Sequence, residues 1–208
     1  MHVVSATDGR HGVRPHFGAL RGEELARVRR REGEEVSRVL GLAEPIFLDL
    51  EDASLGQFTN PTGKALREFS SKLERVVEKH QPEVIVTWGP DGGYFHPDHC
   101  LTHAVVTQLV QASERPIRLF YFGISHDRLP NAGGPFAGFM GTDARYLTVH
   151  VPFTDEDLEA ARRAFACHES QFTAETVKHL DEFLTQAWSG KVSFRPWFGG
   201  HQGNDLFE

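Results

Sequence analysis

Apolar positions along the chain fall into two alternating rhythms. Five short runs rich in β-branched and aromatic residues have the length and bounding turn residues of strands: HVVSAT (2–7), PIFLDL (45–50), EVIVTW (83–88), IRLFYFGI (117–124) and YLTVHV (146–151). The stretches between and after them repeat apolar residues every three or four positions. Residues 23–40 carry Leu25, Val28, Val36, Val39 and Leu40 at helical spacing, and Gly41 supplies a stop. Residues 63–80 put Leu66, Phe69, Leu73, Val76 and Val77 on one stripe, and residues 97–112 align His99, His103, Val106 and Val110. Residues 155–169 open on Thr154 with Asp157 three positions on, a capping-box pattern, and share a face through Leu158, Ala161, Phe165 and His168. A last helix is expected over residues 175–188, with Val177, Leu180, Phe183, Leu184 and Trp188 facing inward. Strands and helices in alternation predict an α/β sandwich of three layers around a mainly parallel central sheet. Residues 125–145, rich in Gly and Pro, form a long loop and a candidate lid.

A length of 208 residues suits one sizeable core, so residues 1–208 are expected to form a single domain. With 39% hydrophobic and 25% charged residues, neither disorder nor a fibrous fold is indicated. The net charge of −7 opposes a nucleic-acid partner, and the run Arg27, Arg29, Arg30, Arg31 reads as the solvated side of a helix. No apolar stretch reaches the length of a membrane span and no secretory signal opens the chain, so a cytoplasmic location is expected. Cys100 and Cys167 stand far apart and are expected to be reduced thiols.

The chemistry concentrates in TWGPDGGYFHPDHCLTHAV, residues 87–105. In open α/β sheets, sites form where strands end and loops lead into helices, and this stretch runs from a strand end through a glycine loop to Pro97, a residue suited to a first helical turn. A neutral imidazole there can bind a divalent metal while a nearby carboxylate fixes the tautomer of a second one. His99 and His103, four apart, can face one metal; His96 precedes the helix and can point into a cleft. For His103 a supporting role at the edge of the core is an equal alternative to ligation. Cys100 lies about 100° around the helix from His99 and is a poor co-ligand. Gly92 and Gly93 permit a tight turn, and the Tyr94 hydroxyl can donate to a substrate oxygen. The plain alternative is a helix start capped by an aspartate, with incidental histidines.

The segment GPDGGYFHPDH resembles the second motif of the PIG-L/LmbE-like zinc-dependent N-deacetylases, which remove acetyl groups from molecules containing N-acetylglucosamine and from related amides. SATDGRHG, VRRREGEEVSRVLGL with IFLDLED, and CHESQ resemble further segments of that family in order and spacing. The resemblance implies a Rossmann-like α/β fold, a Zn2+ cofactor, His99 as a zinc ligand, and His96 as the group that stabilises charge developing on the amide. Asp98 would orient His96, and Tyr94 would help polarise the carbonyl. The implied partner is a small N-acetylated, sugar-containing substrate. His168 and Gln171 fall on the late segment, where packing is the expectation for His168 because it shares a stripe with Phe165. His126 and His150 are expected to be background.

Members of that family open with a strand ending in His-Pro-Asp-Asp, whose histidine and second aspartate bind zinc and whose first aspartate is the general base. This sequence holds no His-Pro-Asp-Asp; its one His-Pro-Asp is residues 96–98. Because MHVVSATDGRHG resembles the family's second strand, one βα unit of roughly 30 to 40 residues is expected to be missing ahead of it, with two of the three ligands. The expectation is a deacetylase when that unit is present. The alternative is a non-catalytic relative that binds a sugar-like ligand without metal. A nucleotide-binding protein is the weakest reading, since no Gly-x-Gly-x-x-Gly follows the first strand.

Overall fold

The first strand, β1 (Val4–Thr7), pairs in parallel with β2 (Ile46–Leu50), Val4 opposite Ile46 and Ser5 opposite Phe47, with a register shift before Thr7 meets Leu50. In the computed structural model, which describes residues 1–12, 20–56, 63–129, 138–198 and 201–207, the chain divides into two units. Residues 1–65 with 154–182 make the first, and residues 66–153 with 183–208 the second.

In the first unit, α1 (Gly22–Val39) carries Glu23 and Glu24 in its opening turn and Arg38 in its last, charges that oppose the helix dipole at each end. Leu25 is buried on this helix, and a side chain at Gly33 would meet the Phe47 ring at 3.2 Å. The arginine run is less uniform than its sequence suggests. Arg27 and Arg31 are exposed, but Arg30 lies over the Phe47 ring at 4.2 Å and pairs with Asp49, and Arg29 is half-buried against Gly9 and Gly12. The apolar stem of Arg30 lies along Phe47 while its charge reaches Asp49.

Helix α4 (Asp155–Ala166) packs on α1 and begins with the expected capping box: the Asp157 N–H donates to Thr154 Oγ1 at 3.2 Å, and the Thr154 N–H to Asp157 Oδ2 at 2.8 Å. It ends at Ala166, short of residue 169. Cys167 is its C-cap, so His168 lies beyond the helix rather than on its apolar stripe. The cause is Glu32 of α1, a buried carboxylate 7% exposed, which accepts from the Ser170 N–H at 2.6 Å and the Ser170 hydroxyl at 2.8 Å. Those bonds satisfy the backbone in a turn instead of a further helical turn.

The second unit is built on a four-stranded sheet in the order β3 (Val84–Trp88), β4 (Arg118–Gly123), β6 (Lys191–Pro196), β5 (Val149–Pro152). Strands β3 and β4 are parallel, but β6 runs antiparallel to both β4 and β5. This sheet is mixed rather than mainly parallel, because a sixth strand that the hydrophobic pattern did not single out enters between two that it did. Its sequence KVSFRP alternates Val192 and Phe194 with Ser193 and Arg195, the one-faced pattern that antiparallel sheets tolerate. Phe120, Val149 and Phe194, one from each of β4, β5 and β6, form the buried core of the sheet. Phe69, Leu73 and Val77 are buried on α2 (Lys64–His80), and Val105, Val106 and Val110 on α3 (Pro97–Ala112), which packs on β3. Helix α5 (Ala174–Trp188) buries Leu180, Phe183, Leu184 and Ala187, and the boundary between the units falls within it. Among the described residues no helix is long and apolar enough to cross a membrane. Part of the expected lid, residues 130–137, lies outside the described residues.

Candidate active site on the loop between β3 and α3

The glycine loop folds as a chain of turns locked by its own backbone. The Gly92 N–H donates to the Gly89 carbonyl at 2.9 Å, the Phe95 N–H to the Asp91 carbonyl at 2.7 Å, and the Gly93 N–H to Asp91 Oδ1 at 3.0 Å. Gly92 has φ +60°, and a side chain there would meet His99 Cβ at 2.7 Å and the Cys100 nitrogen at 2.9 Å. Glycine is therefore demanded twice, by conformation and by the close approach of α3. Phe95 also holds a left-handed backbone, φ +58°, with its ring 63% exposed. An exposed apolar side chain in a strained conformation is a pattern found near sites.

Helix α3 starts at Pro97, and His96 is its N-cap: the ring Nδ1 accepts from the Asp98 N–H at 3.3 Å. The imidazole does the work usually given to a serine or aspartate, so its lone pair sits on Nδ1 and its proton on Nε2. His99 is set the other way. Its Nδ1 lies 3.0 Å from the Gly92 carbonyl, an acceptor only, so Nδ1 carries the proton and Nε2 the lone pair, the tautomer a metal requires. The ring is stacked on Trp88 at 4.7 Å and 12°, and meets the edge of Tyr94 at 5.0 Å. The His96 and His99 rings are 5.0 Å apart, and Tyr94 is 5.9 Å from His96. Three of the four residues singled out from sequence thus form one ring cluster. The fourth, Asp98, is 3% exposed at the second helical position.

One turn on, His103 donates from Nδ1 to the Trp88 carbonyl at 3.1 Å and packs on Tyr121 at 4.6 Å. Burial holds its pKa below the ordinary histidine value, against the pull of that hydrogen bond and with help from the Arg195 guanidinium. It is a neutral ring fixed beneath the loop, bound into a chain in which Thr107 Oγ1 and the Tyr121 hydroxyl lie 2.8 Å apart. Burial also raises the Tyr121 phenol.

A cleft of about 230 Å3 opens beside the loop, walled by Gly89, Asp91, Tyr121, His126, Tyr146 and Arg195 among others. Arg195 stacks over Tyr146 at 4.8 Å. Neither Tyr146 nor Arg195 was marked by a local pattern, and Arg195 reaches Tyr121 only through the unforeseen pairing of β6 with β4. His126 lines this cleft, although its sequence context did not lift it above other histidines.

In the first unit, the loops after β1 and β2 are tied together. Asp8 accepts from Arg10 Nε at 2.7 Å, from the Arg10 N–H at 3.1 Å and from the Asp52 N–H at 3.2 Å. Burial acts to raise the Asp8 carboxyl, but these bonds outweigh it and hold its pKa below the usual value. The His11 N–H donates to Asp52 Oδ2 at 3.1 Å. His168, expected to pack, has Nδ1 3.2 Å from Gln171 Nε2 and 3.9 Å from Glu32, with Phe172 at its edge.

His99 presents the right tautomer for a metal, but among the described residues no three histidine, cysteine, aspartate or glutamate side chains converge closely enough to hold an ion. A catalytic zinc usually needs three protein ligands, so the described residues do not by themselves form a cage.

Residues 1–110 match the family PIG-L, GlcNAc-PI de-N-acetylase. The chain is 35% identical over 134 residues to the 1D-myo-inositol 2-acetamido-2-deoxy-alpha-D-glucopyranoside deacetylase of Saccharomonospora viridis, across 57% of this chain and 50% of that protein. It is 30% identical over 150 residues to the protein of the same name from Mycobacteroides abscessus, across 67% of this chain and 54% of that one. The chain thus spans about half the length of the curated relatives it matches. Among solved structures, N,N'-diacetylchitobiose deacetylase from Pyrococcus horikoshii, complexed with its inhibitor MPG, aligns with a TM-score of 0.67 at 21% identity, over 94% of this chain and 72% of that one. A deacetylase of the A40926 pseudoaglycone aligns at 0.60 and 17% identity, over 94% of this chain and 84% of that one. At these identities the two structures speak for the fold alone.

Proposed function

Because the chain belongs to the PIG-L family of GlcNAc-PI de-N-acetylases, we propose that it is the ring-cluster half of a metal-dependent hydrolase that removes the acetyl group from a small N-acetylglucosamine-containing molecule. The observation that carries the reading is the opposed tautomers of His96 and His99 in one cluster with Tyr94. His99 offers Nε2 to a cation, with zinc as the expected ion, and the reading takes the rest of the ligand set from outside the described residues.

The reaction adds water across an amide: the acetyl carbonyl becomes tetrahedral, the C–N bond breaks, and acetate and a free amine leave. Two groups on this loop suit it. His96 carries its proton on Nε2 and can donate to the oxygen that becomes negative in the intermediate, and the Tyr94 hydroxyl, on a side chain 42% exposed, can donate to the same oxygen. A donor already aimed at the developing charge stabilises it without the reorganisation that water would need. Asp98, buried on the turn that His96 caps, serves to hold that imidazole in position. The cleft toward Arg195 and Tyr146 receives the sugar, whose C–H face suits the aromatic wall and whose hydroxyls suit the donors at its edge.

The test is acetate release from a panel of N-acetylglucosaminides by the full-length gene product. Release abolished by a chelator and restored by zinc is expected. Sugar binding with no release under any metal would instead favour a non-catalytic relative.

A further inference from the structure

A second cavity of about 200 Å3 lies in the same unit, between the end of β4, the paired strands β5 and β6, and the end of α5. Its walls include the cationic side chains of Arg128 and Lys191, the imidazole of His150, and the hydroxyls of Ser125 and Ser193. The histidine cluster uses none of them. We propose that this cavity binds the phosphate group of a small phosphorylated molecule, held by Arg128, Lys191, His150 and Ser193.

Three observations support it. Arg128, Lys191 and His150 are all half-buried, and among the described residues neither Arg128 nor Lys191 forms an ion pair with a carboxylate. The one acidic wall residue, Asp127, accepts from the Ser125 hydroxyl and also feels the charge of Arg128, so a single anionic group faces two cations. Gathering like charges at the mouth of a cavity is costly unless an anion joins them. Second, the charges act on one another: burial first, then Lys191 and Arg128, hold the His150 pKa below the ordinary histidine value. Third, the donors differ in kind and direction. A guanidinium fork, an ammonium, a hydroxyl and an imidazole linked to Ser193 Oγ at 2.9 Å suit an ion with three or more acceptor oxygens better than a planar carboxylate. The cavity exceeds the size of the ion itself, which leaves room for an organic substituent. Arg128 is further held by donating from Nη1 to the Trp188 carbonyl at 3.3 Å, so its orientation costs little on binding.

The experiment follows the His150 ring resonances by NMR while inorganic phosphate, glycerol phosphate, acetate or chloride is added at matched ionic strength. Saturable movement with phosphate is expected, with a Kd of about 1 mM or tighter. The His150 pKa should rise as the anion offsets Lys191 and Arg128. Lys191→Gln and Arg128→Gln should each weaken binding about tenfold. Tighter binding of glycerol phosphate identifies an organic phosphate as the ligand, and equal binding identifies the free ion. Movement matched by chloride, acetate binding as tight as phosphate, or affinity unchanged in both variants would overturn the site.

Discussion

At the scale of single residues, the absent side chain of Gly92 determines more of the site than most side chains present. Its left-handed backbone aims the carbonyl at His99 Nδ1, and its missing Cβ lets α3 come within contact. Gly92→Ala should cost about 1–3 kcal/mol, from positive φ and from a clash with backbone that cannot yield. Chemical denaturation measures the loss, and His99 resonances should move with it; an alanine variant as stable as the parent would contradict the account. For His96, replacement by alanine should leave metal content intact and lower turnover by about 10²- to 10³-fold, the scale for losing a donor to an oxyanion. Unchanged turnover would remove His96 from the chemistry. The pH behaviour of His103 has a definite sign. Its folded pKa lies below the unfolded value of about 6.5, so over that range the native state binds fewer protons than the unfolded chain. Its contribution to stability is therefore complete above about pH 6.5 and declines on acidification. An NMR titration placing His103 at or above the ordinary value would contradict the buried, neutral ring described.

At the scale of elements, the helices were legible because their apolar stripes are long and their ends are chemically marked. Helix α3 spans the predicted residues 97–112, Pro97 opening it, and the Thr154 box starts α4 where expected. The end of α4 was not legible, since it is decided by Glu32, a residue more than a hundred positions away in the chain that claims Ser170. Strand β6 was missed for a related reason: six residues with a half-polar face and a terminal proline acquire meaning only from their neighbours β4 and β5. The tie from α1 to Ser170 is testable. Glu32→Ala strands a buried N–H and hydroxyl and should cost about 1–3 kcal/mol. Burial raises the Glu32 carboxyl, yet His168 and Ser170 outweigh it and hold the folded pKa below the usual range. The stabilisation is then present above the unfolded carboxylate value and lost as pH falls through the folded one. Acid unfolding followed in Glu32→Gln should show a weaker dependence on pH than in the parent, and an identical dependence would reject the tie.

At the scale of the whole molecule, the sequence made one half of the candidate chemistry readable and left the other half silent. Tyr94, His96, Asp98 and His99 lie within six consecutive positions on one strand–loop–helix, where the family resemblance groups them, and the rings of three lie together. Arg195, Tyr146 and His126 come from a late strand and a long loop, and only tertiary structure brings them to the wall of the same cleft. The proposed hydrolysis of an N-acetyl group rests on the His99 imidazole, whose Nδ1 faces the Gly92 carbonyl and whose Nε2 is left for a metal. The most direct test is elemental analysis of the full-length gene product and its His99→Ala variant after purification in zinc. The account predicts bound zinc in the parent and a clear loss in a variant that keeps its fold. Equal zinc in the two proteins would contradict it.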